Sequence, residues 1–205
     1  MNPPVSAATS AADVIRGRRT LIGLAALFFV PLAISFWLYY AGGWRPSGTT
    51  NHGTLISPPR PLEDAPFTLG DGTTSARAGL LRGKWSLVYI GDGACDAACQ
   101  RALWTMRQAR LLLAEDMQRV QRVFVVTGGC CNSDFLSQEH PGLEVVQPLD
   151  PAAQDVVAQF PAEGRRTGIY IVDPLGNLMM QFDSSQPPKG LLEDLKKLLK
   201  LSHIG

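Results

Sequence analysis

The sequence lacks any excess of charge. Its 19 Lys and Arg stand against 18 Asp and Glu, a net of +1, so nothing in the overall balance points to nucleic acid or to a strongly acidic partner. Cysteine is sparse too: four in 205 residues are too few for a disulfide scaffold. They fall in two pairs, Cys95 with Cys99 and Cys130 with Cys131, and that clustering points to chemistry or metal. Long apolar runs are absent but for one, which leaves room for a membrane anchor and one domain of ordinary size and makes a second folded domain unnecessary. After that run there is no clear A-x-A cleavage site and no lipid-accepting cysteine, so an uncleaved anchor is favoured over a signal peptide.

The run covers residues 21–41, which are 21 residues without a charge. As a helix they span about 30 Å, the thickness of a bilayer core. Pro31 inside it is tolerated in lipid, and Trp37, Tyr39, Tyr40 and Trp44 form an aromatic belt at the outgoing end. Arg16, Arg18 and Arg19 precede it, and Arg45 is the nearest positive charge beyond it. The positive-inside rule then places the N-terminus in the cytoplasm and the residues beyond about 45 outside it. Four segments follow: a cytoplasmic tail over 1–19, an anchor over 20–41, a Pro/Gly-rich tether over 42–61 and a folded domain over 62–205. His52 reads as a solvated tether residue.

The domain is organised around a glycine-rich loop, Gly91-Asp92-Gly93-Ala94, that delivers Cys95 and Cys99 in a C-x-x-x-C spacing. The short apolar run 85–90 before it reads as a buried strand. After it Ala102, Leu103, Met106, Ala109, Leu113, Met117 and Val120 recur at steps of three and four, which predicts one helix of several turns. Cysteines at i and i+4 share a helical face, where they can meet as a disulfide or clamp one soft metal ion. The helix N-terminus favours the Cys95 thiolate, which makes Cys95 the nucleophile, with Asp96 opposing modestly. The bland alternative is a stabilising disulfide.

A second strand over 122–126 follows, and strand, helix, strand with this crossover implies a parallel βαβ unit. Functional loops of such sheets lie at the carboxyl ends of the strands, so all four thiols should share one rim. His140 reads as a solvent-facing loop residue. Phe67-Thr68-Leu69 with the turn 70–72 suggests a small edge hairpin. Asp150 caps a helix over 151–160 with Pro151 at its first position. Strands over 168–172 and 178–182 form a hairpin, and an amphipathic helix over 190–201 closes the domain, with Lys196, Lys197 and Lys200 on a solvated face.

This α/β order, βαβ then ββα behind a single N-terminal transmembrane helix, is similar to the thioredoxin fold. Within it, the C-x-x-x-C motif, the anchor with an outward-facing domain, and Tyr170-Ile171-Val172-Asp173-Pro174-Leu175-Gly176 resemble the Sco/SenC family of cytochrome c oxidase assembly proteins. The resemblance implies a bacterial inner-membrane protein of one span with its domain in the periplasm. It implies that Cys95 and Cys99 are copper ligands, that the partner is cytochrome c oxidase subunit II or its assembly intermediates, and that a periplasmic thiol reductant keeps the dithiol reduced. The family's third ligand is a histidine in the loop before the strand that corresponds here to residues 169–172. That loop reads Pro161-Ala162-Glu163-Gly164-Arg165-Arg166-Thr167, and the family's proline within the cysteine motif is also missing. Two thiolates suit Cu(I), whereas Cu(II) would want an imidazole. Cys130, Cys131 or His140, on the same rim, are the candidates for a further ligand.

Three functions follow from these readings. One is an oxidase assembly factor that delivers Cu(I), or reduces the target cysteines by Cys95 attack and Cys99 resolution. Another is a general extracytoplasmic thiol-disulfide oxidoreductase without metal, disfavoured because the spacing is longer than C-x-x-C and no proline precedes Gly168. The third is a non-catalytic scaffold whose face would be Arg101, Arg107, Arg110, Arg119 and Arg122. A peroxiredoxin is disfavoured because residues 90–94 lack the threonine and proline expected before its cysteine.

Overall fold

The computed structural model describes residues 11–40, 50–70, 79–129, 131, 133–202 and 204. The chain divides into two compact units, residues 1–49 and 50–205.

The described residues of the first unit form one helix, α1 (Ala11–Tyr40), with Pro31 inside it. Its segment Val14–Tyr40, 27 residues long, contains an 18-residue window of mean hydropathy 2.3, long and apolar enough to cross a membrane. Leu24, Leu27, Phe28 and Phe36 are all exposed, as the side chains of a helix meant for lipid would be. Arg16, Arg18 and Arg19 belong to its first turns, so the helix starts within the segment expected to be tail. Trp37, Tyr39 and Tyr40 close its far end, while Ala41, Trp44 and Arg45 lie outside the described residues.

The second unit is built on a seven-stranded sheet. Its strands are β1 (Thr54–Pro61), β2 (Thr68–Leu69), β3 (Trp85–Gly91), β4 (Val120–Val126), β5 (Leu143–Gln147), β6 (Gly168–Val172) and β7 (Asn177–Asp183), in the spatial order β1-β7-β6-β3-β4-β5-β2. The pairs β3–β4 and β4–β5 are parallel; β6 runs antiparallel to β3 and β7 antiparallel to β6. Side chains alternate across the sheet. Leu87 and Tyr89 face one core with α2 (Ala97–Leu111) and α5 (Pro188–Leu201). Val88 and Ile90 face the other, with α4 (Pro151–Ala158). A short helix, α3 (Ser133–Glu139), sits between β4 and β5. Asp150 caps α4 by accepting from the Ala152 amide at 2.8 Å, with Pro151 opening the helix as expected.

Five expectations are corrected. The tether over 42–61 is shorter: residues 54–61 form β1, paired antiparallel with β7 with a register shift between Leu55 and Arg60. Prolines are admitted there because β1 is an edge strand with one side free of the ladder. His52 is exposed, as expected, but it is tied to the domain rather than part of a free tether: its backbone amide donates to the buried Asp194 carboxylate of α5 at 2.9 Å and its ring approaches Glu193 and Asp194 at 3.4 Å each. The long dithiol helix is two pieces: α2 ends at Leu111 and a 3-10 helix, Ala114–Arg119, takes the chain to β4. Ala114 sits at the break with φ +52°. The edge hairpin is instead β2 paired antiparallel with β5, and Asp71 and Gly72 lie outside the described residues. Helix α5 begins at Pro188, two residues before Gly190.

Candidate functional site

Strand β3 runs out at Gly91, where an added Cβ would come within 2.8 Å of the Tyr89 ring. A tight turn follows. Asp92 Oδ1 accepts from the Ala94 amide at 2.8 Å, and the Asp92 carbonyl accepts from the Cys95 amide at 3.1 Å. The end of β4 closes on this turn, with the Thr127 amide donating to the Gly91 carbonyl at 3.0 Å. A Cβ on Gly128 would collide with the Asp92 carboxylate unless that side chain swung away.

Cys95 lies outside the helix, contrary to the i, i+4 reading. It has φ +49°, and Asp96, one residue on, is the cap of α2. Asp96 Oδ1 accepts from the amides of Ala98 and Cys99, each at 3.0 Å, and Oδ2 accepts from Arg166 Nη2 at 2.8 Å. These bonds, the Cys99 amide first and Arg166 next, hold the Asp96 carboxyl below the usual carboxylate range. The left-handed residue and the capped turn bring Cys95 and Cys99 together as a disulfide with Cα atoms 5.0 Å apart.

The disulfide lines a cleft of about 510 Å³ together with Tyr89, Asp92, Thr127, Arg165 and Arg166. Tyr89 Oη donates to the Arg166 carbonyl at 3.0 Å. Burial, reinforced by the Asp96 charge, pushes its phenol up to about 12, so it is a neutral donor at any ordinary pH. Arg165 Nη2 donates to the Phe160 carbonyl at 2.8 Å and fixes the base of the same loop. The loop that was expected to lack a histidine therefore presents an arginine to the dithiol motif. Tyr89 and Arg166 were not singled out as site residues; the Arg-Arg pair directly before β6 was the available signal.

Cys131 and His140 lie elsewhere. Cys131 is disulfide-bonded rather than a free thiolate, and Cys130 lies outside the described residues. Cys131 and His140 line a separate cleft of about 430 Å³ with Leu136, Pro141 and Val145. His140 is buried, not solvent-facing: its ring meets Phe135 edge-on at 5.3 Å. Burial, then the charges of Arg122 and Arg107, hold it below the usual histidine range. Among the described residues no third His, Cys, Asp or Glu joins the dithiol in a group that could hold a metal ion. Cys131 and His140 thus line a cleft apart from that of the dithiol, whose two sulfurs are a set suited to Cu(I) once reduced.

Three of the five arginines of the expected face are engaged within the domain. Arg122 is buried, donates from Nη2 to the Pro141 carbonyl at 2.6 Å, and is lowered to about 10 by burial and by Arg110 and Arg107. Arg110 donates to the Val120 carbonyl at 2.6 Å and Arg119 to that of Ser202 at 2.7 Å. These side chains lock the 3-10 segment and the C-terminus in place.

Comparison with known proteins bears on the fold. The chain resembles apo Sco1 from Thermus thermophilus at a TM-score of 0.58 and 17% identity, covering 74% of this chain and 99% of that one. Copper-bound yeast Sco1 gives 0.58 and 16%, over 69% and 94%. A putative protein disulfide isomerase from Bacteroides thetaiotaomicron gives 0.50 and 17%, over 74% and 95%. No curated protein matches the chain in sequence. The family described as a transmembrane-like, thioredoxin-like, C-terminal domain matches residues 85–202, which include both dithiol cysteines and the Arg166 loop. With more than half its length inside that match and the fold of the Sco proteins around its dithiol, the chain belongs to this transmembrane-like, thioredoxin-like family.

Proposed function

We propose that the protein is a membrane-tethered, periplasm-facing thiol-disulfide exchange factor for cytochrome c oxidase assembly, which reduces the cysteine pair of the copper centre in subunit II. The observation that carries this reading is the Cys95–Cys99 disulfide lining a cleft at the carboxyl end of β3, where sheets of this kind place their chemistry. Cys95 attacks the target disulfide, Cys99 resolves the mixed disulfide, and a periplasmic thiol reductant restores the dithiol. The helix α1 supplies the tether, and the arginines at its start support a cytoplasmic N-terminus by the positive-inside rule.

The reduced pair also offers two soft donors, which supports a second reading in which Cu(I) is cargo handed to the same target. Its support is the donor set and the copper-bound form of yeast Sco1. One experiment separates the two. The full-length protein in detergent is reduced, titrated anaerobically with Cu(I) against a chelator, and separately mixed with an oxidised peptide carrying the oxidase cysteine pair. Peptide reduction that disappears in Cys95→Ser/Cys99→Ser supports exchange; stoichiometric Cu(I) retention lost in the same variant supports delivery. Undiminished oxidase assembly with that variant would sink both and leave a scaffold.

A further inference from the structure

Cys95 occupies the left-handed region at φ +49°, which a residue bearing a Cβ enters at a cost and keeps only when its surroundings hold it there. Its amide donates to the Asp92 carbonyl at 3.1 Å, and its carbonyl accepts from Gln100 Nε2 at 3.1 Å. The next residue, Asp96, is gripped on both carboxylate oxygens, one by the start of α2 and the other by Arg166 at 2.8 Å. The local bonds come from the motif itself. The Arg166 bond comes from 70 residues away, on a loop that Tyr89 and Arg165 anchor independently.

We propose that Arg166 is a positioning residue for closure of the Cys95–Cys99 disulfide: through Asp96 it holds Cys95 in the backbone state from which Cys99 reaches it. The proposal rests on the exchange reading above. In the mixed disulfide, Cys95 Sγ is bonded to a target sulfur. The Cys99 thiolate attacks Cys95 Sγ, the bond from Cys95 to the target breaks, and the target leaves as a thiolate that takes a proton from water. Over the cycle the two cysteines of this chain are oxidised and the target pair is reduced by the same two electrons. Closure is intramolecular, so its rate and equilibrium depend on how well the two sulfurs are pre-placed. Without Arg166, Asp96 is released on one side and Cys95 relaxes toward the ordinary negative φ.

The sign of the effect distinguishes positioning from charge. A cation acting only by its field would favour the reduced, negatively charged sulfur, so its removal would shift the couple toward the disulfide. A positioning residue does the reverse. The test equilibrates the full-length protein in detergent, as wild type, Arg166→Ala and Arg166→Lys, with mixtures of reduced and oxidised glutathione. The products are then alkylated, and the dithiol, disulfide and glutathione-mixed-disulfide forms are counted by intact mass. Arg166 is 79% exposed, so the variants should melt like wild type. Arg166→Ala is expected to shift the couple about two- to fivefold toward the dithiol, the scale of one exposed ion pair, and to accumulate the mixed disulfide. Arg166→Lys, which can still reach Asp96, should restore both. An unchanged couple in Arg166→Ala, or a shift toward the disulfide, overturns the proposal while leaving exchange intact. A wild-type pair that never closes reversibly overturns exchange and the proposal together.

Discussion

Asp194 carries three loads on one carboxylate. It is buried in α5, accepts from the amides of His52 and Gly53 at 2.9 and 2.8 Å, and meets the His52 ring at 3.4 Å. Replacing it by alanine strands two amides at the start of β1. Asp194→Ala is expected to lose about 1.5–3 kcal/mol, the scale of hydrogen bonds to a charged group, read by urea unfolding. His140 makes a second residue-scale prediction. Its folded value lies below the ordinary 6.5 because of burial and of Arg122 and Arg107, with Glu139 opposing. Neutral histidine is thus the form the fold prefers. Its contribution is fully present above about pH 6.5 and is lost as the pH falls through the lower folded value. Thermal melts should show stability declining on the acid side of 6.5, and His140→Leu should flatten that part of the profile. Neither role was legible in the sequence: a histidine between Glu139 and Pro141 looks like a loop residue, and only the fold turns its ring under Phe135.

Helix α5 holds one face of the sheet through Leu191, Leu195 and Leu199, all buried. Leu195→Ala should therefore cost about 2–5 kcal/mol, the range for a large-to-small change in a packed core, measured as a lower denaturant midpoint with an unchanged slope. At the end of α2 a glycine scan gives a test of sign. In a continuous helix Ala114→Gly would cost about 1 kcal/mol. With Ala114 at φ +52°, it is expected instead to leave stability unchanged or raise it by up to about 1 kcal/mol. Apolar spacing could not reveal this break. Leu113 and Val120 are buried and Met117 partly so, as one helical stripe would have them, yet they belong to a cap, a strand and a 3-10 turn. The strands β3, β4, β6 and β7 were legible because buried β-branched runs bounded by turns leave few alternatives. The edge strand β1 was not, because its prolines carry the composition of a linker.

At the scale of the whole chain, β3, α2, β4, α4, β6, β7 and α5 were readable in their order from 85–201, while the 3-10 turn, α3 and β5 were not; the dithiol and the lack of an imidazole in residues 161–167 were also legible. What took the structure to see was that Cys95 stands before the helix and that Arg166 reaches the cap. The apolar helix α1 predicts that the full chain stays in the membrane pellet after alkaline carbonate washing and that a version lacking residues 1–40 is released. The two rims of the sheet carry a last consequence. One ends in β1, whose Pro58, Pro59 and Pro61 withhold donors, and the other in β2, which is two residues long. Among the described residues each is a poor template for a foreign backbone, which favours partners met end-on, by side chains and loops, and opposes the fusion of sheets between crowded copies.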